Sequence, residues 1–339
     1  MPAKIEILSV DLLDKHRLLV NDLRSLASSL GLEFGWHYLL DLTWIISQLP
    51  FDSVKPPSLH ILDAGAGVGV MQWYLAERGV YVISVDRVER ADLSLRFRGR
   101  YQVRGMRPQD LNPALKSIYR GITNQKTPAT AIKNILSGLA YGIFAVGQQK
   151  VAYRKSLLSS LQISEFKKKN SEIGQKVAST GSRGVRPCAP THGSVTIYHQ
   201  DLRTLSDVAD NSLDAVVAVS ALEHNLPENL VSVVSELMRT LRPGGKILAT
   251  LGAARAQDWF HEPSKGWCYT ADSLRKLFDL PAGTPDNYIY YDEMLAALRN
   301  CAELRDNLAG FYLQSGDNGM PWGKWDPQYQ VVGVCKVKE

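Results

Sequence analysis

Residues 59–70, Leu-His-Ile-Leu-Asp-Ala-Gly-Ala-Gly-Val-Gly-Val, constrain the fold of this chain more than any other stretch. An apolar run long enough for one buried strand leads into glycines at three alternate positions, Gly65, Gly67 and Gly69, with a helical pattern beyond. The next apolar run, residues 80–85, ends in Asp86. Strand, glycine turn, helix and second strand form one βαβ unit, so the chain is expected to be α/β with a doubly wound, mostly parallel sheet. The glycines can take positive φ and leave no Cβ between the main chain and a ligand at the helix N-terminus. A carboxylate at the end of the second strand can accept hydrogen bonds from both hydroxyls of a ribose, so the turn reads as a site for a nucleoside-bearing ligand.

The spacing is G-x-G-x-G rather than the G-x-G-x-x-G of dinucleotide sites, and Asp63 stands two residues before the first glycine. A carboxylate there repels a pyrophosphate but suits a ligand carrying an ammonium group. The glycines alone would also fit a tight connection that binds nothing. Three further segments bear on that choice. Residues 195–202 read as a strand running into Asp201 and Leu202; residues 211–220 read as a turn and a buried strand ending at Ser220. Residues 241–250 follow and read as a helix end, a Pro-Gly-Gly turn at Pro243, Gly244 and Gly245, and then another apolar strand.

In this order the motifs resemble the class I S-adenosylmethionine-dependent methyltransferases, particularly the broad small-molecule group. The resemblance covers about residues 58–100 and 192–253. It implies a Rossmann-like, seven-stranded, mostly parallel sheet with an antiparallel C-terminal strand, and S-adenosylmethionine as cofactor. It further implies that the turn formed by Asp63, Ala64, Gly65, Ala66, Gly67 and Gly69 cradles the methionine part. Asp86, with Arg87 beside it, would hold the ribose, Asp201 and Leu202 the adenine, and Ser220 would line the same cleft. Chemistry is expected just after the fourth strand, at Glu223 and His224, because imidazole titrates near neutral pH and a neighbouring carboxylate can orient a substrate or act as the base. In the resembled family such Glu-His pairs also support the fold or the cofactor. Further along, His261, Glu262 and Trp267 are candidate acceptor contacts at the carboxyl edge of the sheet. Together with Glu223 and His224 they would permit a metal site only on paper, for want of fixed ligand spacing, and no metal is expected.

Charge is unevenly distributed. Residues 98–190 hold 17 Lys and Arg against three acids, a net +14, which leaves −9 for the rest of a chain whose total is +5. The resembled core needs only a helix and a short loop there, so the stretch reads as a mostly helical basic insertion or lid. Its apolar run, residues 135–146, is shorter than the roughly 20 residues a membrane span requires. Two readings stand: a solvated lid, or a surface that docks peripherally on anionic lipid headgroups or a phosphate-bearing substrate. RNA methylation is the alternative for so many cations, but recognisable RNA-binding modules and well-placed aromatic platforms are wanting. A non-catalytic nucleotide-binding protein of the same fold and an NAD-dependent oxidoreductase are the remaining alternatives.

The expected organisation is a helical N-terminal cap over residues 1–52, the first part of the core over 53–97, the insertion over 98–190 and the rest of the core over 191–339. His37 and the tryptophans of the cap are expected to be packing residues. The four cysteines lack C-x-x-C spacing, which points away from zinc or a disulfide framework, and the N-terminus lacks a secretory pattern, so a cytoplasmic protein is expected. Residues 270–278 read as a capped amphipathic helix, and residues 308–313 and 329–337 as a closing antiparallel strand pair. The function expected from all of this is methyl transfer, to oxygen first, on a small-molecule or lipid- or phosphate-linked acceptor.

Overall fold

The structure, a computed structural model, describes residues 2–51, 59–114, 117, 193–310 and 324–339. The apolar run of the basic stretch, its Lys-rich part, Cys188 and Trp322 lie outside the described residues. The chain divides into two compact units. The first comprises Met1–Ala91, Val103–Leu111 and His192–Glu339, and it carries the sheet. The second comprises Asp92–Gln102 and Asn112–Thr191.

In chain order the elements are β1 (Lys4–Ile7), α1 (Leu12–Lys15), α2 (Arg17–Leu30), α3 (Tyr38–Ser47), β2 (His60–Ala64), α4 (Val70–Glu77), β3 (Tyr81–Asp86), α5 (Leu95–Arg98) and β4 (Gln102–Gly105). After them come β5 (Ser194–His199), β6 (Leu213–Val219), α6 (Pro227–Thr240), β7 (Leu241–Ala253), β8 (Trp259–His261), β9 (Gly266–Tyr269), α7 (Ala271–Leu277), α8 (Tyr291–Arg299), α9 (Ala302–Arg305) and β10 (Gln330–Val337). The main sheet path runs β1-β10-β7-β6-β2-β3-β5-β4. Strands β7, β6, β2, β3 and β5 are parallel neighbours, while β10 is antiparallel to both β7 and β1. The mostly parallel, doubly wound sheet with an antiparallel C-terminal strand is therefore present, with ten strands among the described residues rather than seven.

The additional strands have local causes. Residues 4–7 alternate, with Ile5 and Ile7 buried and Lys4 and Glu6 half exposed, which is the period of an edge strand. The N-terminal cap is thus not wholly helical: β1 pairs with β10 in the place expected for residues 308–313. Residues 308–310 form no strand, and the rest of that segment lies outside the described residues. Strand β4 closes the other edge beside β5, so Val103–Leu111, read from sequence as part of the insertion, belongs to the sheet-bearing unit. Strands β8 and β9 form an antiparallel pair, and β9 also runs parallel to the end of β7 at Gly252 and Ala253.

Helix α2 buries one stripe, Val20, Leu23, Leu26, Ala27 and Leu30, and ends at Gly31 in the left-handed conformation. Helix α3 is buried nearly all round. Its Trp44 lies against Gly333 of β10, where an added Cβ would come within 2.6 Å of the indole, so the strand needs a glycine to let the helix approach. The predicted helix near residue 270 is α7, whose Thr270 side chain accepts a hydrogen bond from the Ser273 amide.

Candidate functional site

The carboxyl ends of β2, β3, β5 and β6 meet at a cavity of about 440 Å³, within the roughly 300–1,000 Å³ of small-molecule sites. Its floor is the turn after β2. There the Gly65 and Ala66 amides both donate to the Val85 carbonyl, at 2.9 and 3.0 Å. Gly65 has φ +69°, and a Cβ on it would lie 2.5 Å from the Ala221 Cβ, so only glycine fits. Gly67, at φ +49°, donates its amide to Asp86 Oδ2 at 2.7 Å. The other Asp86 oxygen accepts from the Val88 amide at 2.7 Å, so the carboxylate is fixed at the rim of the cavity. Gly69 is the extended residue from which α4 starts.

Asp63 lines the cavity although it is almost fully buried, and its Oδ2 has no hydrogen-bond partner. Burial pushes its carboxyl up to about 7; Arg90 opposes that rise and Asp86 adds to it. A buried acceptor facing a cavity without a donor is a place where a cationic or donor group of a ligand is stabilised. The turn is held from behind by two side chains that sequence reading missed. Gln72 of α4 donates to the Gly67 and Gly69 carbonyls at 3.2 and 3.3 Å, and Arg90 donates to the Gly67 carbonyl at 2.7 Å. The available sequence signal was a long donor side chain four residues beyond Asp86 and a Gln inside an otherwise apolar helix.

The remaining walls come from separated segments. Asp201 and Leu202 follow β5, and Arg87 follows β3. The Asp201 carboxylate accepts three bonds from Arg203, at 2.8 and 3.0 Å, which hold it below the usual carboxylate range. Glu33, Phe34, Tyr38 and Leu42 of the α2–α3 segment also line the cavity, a half-aromatic wall that motif spacing did not assign. Ala64 is packed in the core and does not line the cavity.

After β6 the chain turns at Ser220, which has φ +46° and donates its amide to Thr250 Oγ1 at 3.1 Å. The Ser220 hydroxyl bonds to Glu223. Glu223 is buried, and burial raises its carboxyl above the usual range while His224 and the Ser220 bond oppose the rise. Glu223 is not on the cavity wall; it underpins the turn that presents Ser220, Ala221, His224 and Asn225 to it. His224 is exposed to the cavity, and its Nδ1 lies 2.9 Å from the Lys265 carbonyl. A carbonyl can only accept, so Nδ1 carries a proton, and in the neutral ring the lone pair then lies on Nε2, the tautomer a proton acceptor needs.

Three candidate acceptor contacts sit elsewhere. His261 is buried in a ring cluster with Trp259 and Tyr329, its centroid 5.4 and 5.1 Å from theirs, and its Nδ1 meets the Ser264 hydroxyl at 2.7 Å. Glu262 is exposed and pairs with Lys265; Trp267 packs on Phe260 and Tyr269. None of the three lines the described cavity. His37 is buried with Asp41, 2.6 Å from Nδ1 to Oδ2, and Trp325 braces Trp36 at 6.3 Å, both as packing residues. Among the described residues, no group of three or more His, Cys, Asp or Glu could hold a metal ion, and no helix is long and apolar enough to cross a membrane.

Residues 170–249 match a family model described as a methyltransferase domain. Curated protein sequences include no match. Among solved structures, the chain is similar to a candidate sarcosine dimethylglycine methyltransferase from Galdieria sulphuraria, at 13% identity over 93% of this chain and 97% of that one, TM-score 0.41. It is similar also to phosphoethanolamine N-methyltransferase 2 of Haemonchus contortus, crystallised with phosphomonomethylethanolamine and S-adenosylhomocysteine. There the identity is 13% over 97% of this chain and 60% of that one, TM-score 0.39. A third is the magnesium protoporphyrin IX methyltransferase of Synechocystis with bound S-adenosylmethionine, at 14% identity over 97% and 85%, TM-score 0.33. The match to a methyltransferase domain falls on the segment that holds β5, β6 and the first part of β7, the strands that continue the parallel sheet beside the glycine turn.

Proposed function

We propose that this chain, as an enzyme built on that domain, transfers a methyl group from S-adenosylmethionine to an oxygen of a small-molecule acceptor. The observation that carries the reading is Asp63: a buried carboxylate with an unpartnered oxygen beside a glycine cradle that admits no Cβ. That combination fits a ligand with an ammonium group at one end and excludes a pyrophosphate, the hallmark of the oxidoreductase alternative. Asp63 and the turn would hold the amino-acid tail, Asp86 the ribose hydroxyls, and Asp201 with Leu202 the adenine.

The bound cofactor supplies an electrophilic methyl group. The chain's own residues must bring an acceptor into line with it, at roughly 3–3.5 Å, and take up a proton. The wall of Phe34, Tyr38 and Leu42 suits an acceptor with an apolar or aromatic body. His224 Nε2 is the group we assign to receive the hydroxyl proton, and the Lys265 carbonyl stabilises the imidazolium through Nδ1. Glu223 acts indirectly, by holding Ser220 and the turn. Peripheral docking on an anionic membrane through the basic stretch is part of the same proposal and rests on its net charge of +14.

Calorimetric titration with S-adenosylmethionine, followed by a search for a +14 Da product (one CH₂) in cell extract, tests the core of this reading. Asp86→Ala is expected to weaken cofactor binding by a factor on the order of 10–100 through loss of charge-assisted hydrogen bonds. His224→Gln is expected to lower kcat by about 10²–10⁴ with cofactor affinity unchanged; an unchanged kcat would remove the base assignment.

A further inference from the structure

The floor of the cavity is anchored to one buried cation. Arg90 is 6% exposed, and its guanidinium makes no ion pair among the described residues. Instead Nη1 donates to the Gly67 carbonyl at 2.7 Å and to Ser84 Oγ at 2.6 Å, and Nη2 donates to the Ser84 carbonyl at 2.7 Å. The Ser84 hydroxyl in turn donates to Gln72 Oε1 at 2.7 Å, and Gln72 Nε2 returns to the Gly67 carbonyl at 3.2 Å. Gly67 is therefore gripped at both ends, its amide by Asp86 and its carbonyl by Arg90 and Gln72. A buried charge is costly, so its place behind a ligand turn calls for a reason beyond packing.

We propose that Arg90 is a positioning residue for the cofactor: its fork turns the Gly67 carbonyl away from the cavity, and its positive charge balances the carboxylates of Asp63 and Asp86 that the ligand must meet. This deepens the cofactor reading and rests on it. The charged groups acting on Asp63 are Arg90 and Asp86, and those acting on Arg90 are Asp86, Asp63 and Asp110. Two acids converging on one buried turn repel each other's charge. Without Arg90, Asp63 would hold its proton to higher pH and would present a neutral carboxyl to the ammonium group of the ligand.

Two substitutions separate the fork from the charge. Arg90→Lys keeps the cation but cannot make the three forked bonds; Arg90→Gln removes the cation. Binding is measured by calorimetry from pH 6 to pH 9 for S-adenosylmethionine and for 5′-methylthioadenosine, which lacks the amino-acid tail and so does not report on Asp63. Near-UV circular dichroism checks the fold of each variant. The ligand's own amino group titrates alike with every variant, so differences between variants report the protein.

Arg90→Lys is expected to lose about tenfold in affinity for both compounds with the wild-type pH profile retained. Arg90→Gln is expected to shift the rise of S-adenosylmethionine affinity upward by about one pH unit, a further tenfold loss on the acid side, with no such shift for 5′-methylthioadenosine. Wild-type affinity in Arg90→Lys, or a wild-type profile in Arg90→Gln, overturns the inference. If Arg90→Gln does not fold, the Arg90→Lys arm still decides the role of the fork. Wild-type protein that binds neither compound overturns the cofactor reading instead, and is told apart by failing before any variant is compared.

Discussion

Asp63 works against the stability of the chain that contains it. Its folded carboxyl titrates at about 7, above the roughly 3.9 of an unfolded aspartate, so between those values the folded state binds the proton more tightly. Stability from this group is therefore full below about pH 4 and is lost as pH rises to about 7. Asp63→Asn is expected to raise Tm at pH 8 by a few degrees, roughly 2–4 °C per kcal/mol released, and to leave it unchanged near pH 4. The same variant should bind S-adenosylmethionine more weakly; thermal melts at the two pH values and a titration check both halves. The placement of Asp63, Asp86 and the glycines at one turn could be read from spacing because they fall within a single strand-turn-helix-strand unit. The orientation of His224 could not, since its proton is assigned by the carbonyl of Lys265, 41 residues away. His261, Glu262 and Trp267 lie off the described cavity for the matching reason: contacts to Tyr329, Lys265 and Tyr269, which spacing along the chain does not show, fix where they sit.

At the scale of elements, the decisive contacts are those where backbone must pass close to another group. Gly65→Ala would place a methyl group 2.5 Å from Ala221 and demand a positive φ from alanine. The turn after β2 and the chain after β6 would have to separate, and S-adenosylmethionine affinity is expected to fall below detection while the parallel sheet still forms by circular dichroism. Gly333→Ala tests another approach, between β10 and Trp44 of α3. Overpacking there is expected to cost about 1–3 kcal/mol in chemical denaturation, because the indole is fully buried and also donates to Glu6 at 2.9 Å. Strand periodicity identified β2, β3, β5, β6, β7 and β10. It did not identify the short strands β1, β4, β8 and β9, whose three or four residues are too short a run to show a period, and β7 already begins at Leu241, where a helix end was expected, and runs through the Pro-Gly-Gly segment.

For the whole molecule, the separation of charge sets the expected partners more than the net +5 does. Liposome flotation is expected to recover the protein with anionic vesicles and not with neutral ones, with binding lost at high salt because exposed charges are screened beyond about 10 Å at 0.1 M ionic strength. Equal, negligible binding to both would remove the membrane part of the proposal. The sheet closes at one edge by pairing β1 from the start of the chain with β10 from its end, a union of segments more than 300 residues apart.

The βαβ unit, its glycine turn and the two flanking acids were determined by the sequence, because each depends on residues within one strand-turn-helix-strand unit and on chemistry that glycine and carboxylate alone provide. Which side chains share the cavity was decided only by tertiary structure. Tyr38, Asp63, Asp201 and His224 come from four separate segments, and Arg90 and Gln72 act from behind the turn. Burial then sets the charge of Asp63, and a distant carbonyl sets the tautomer of His224. Both are properties of an environment that no local pattern encodes.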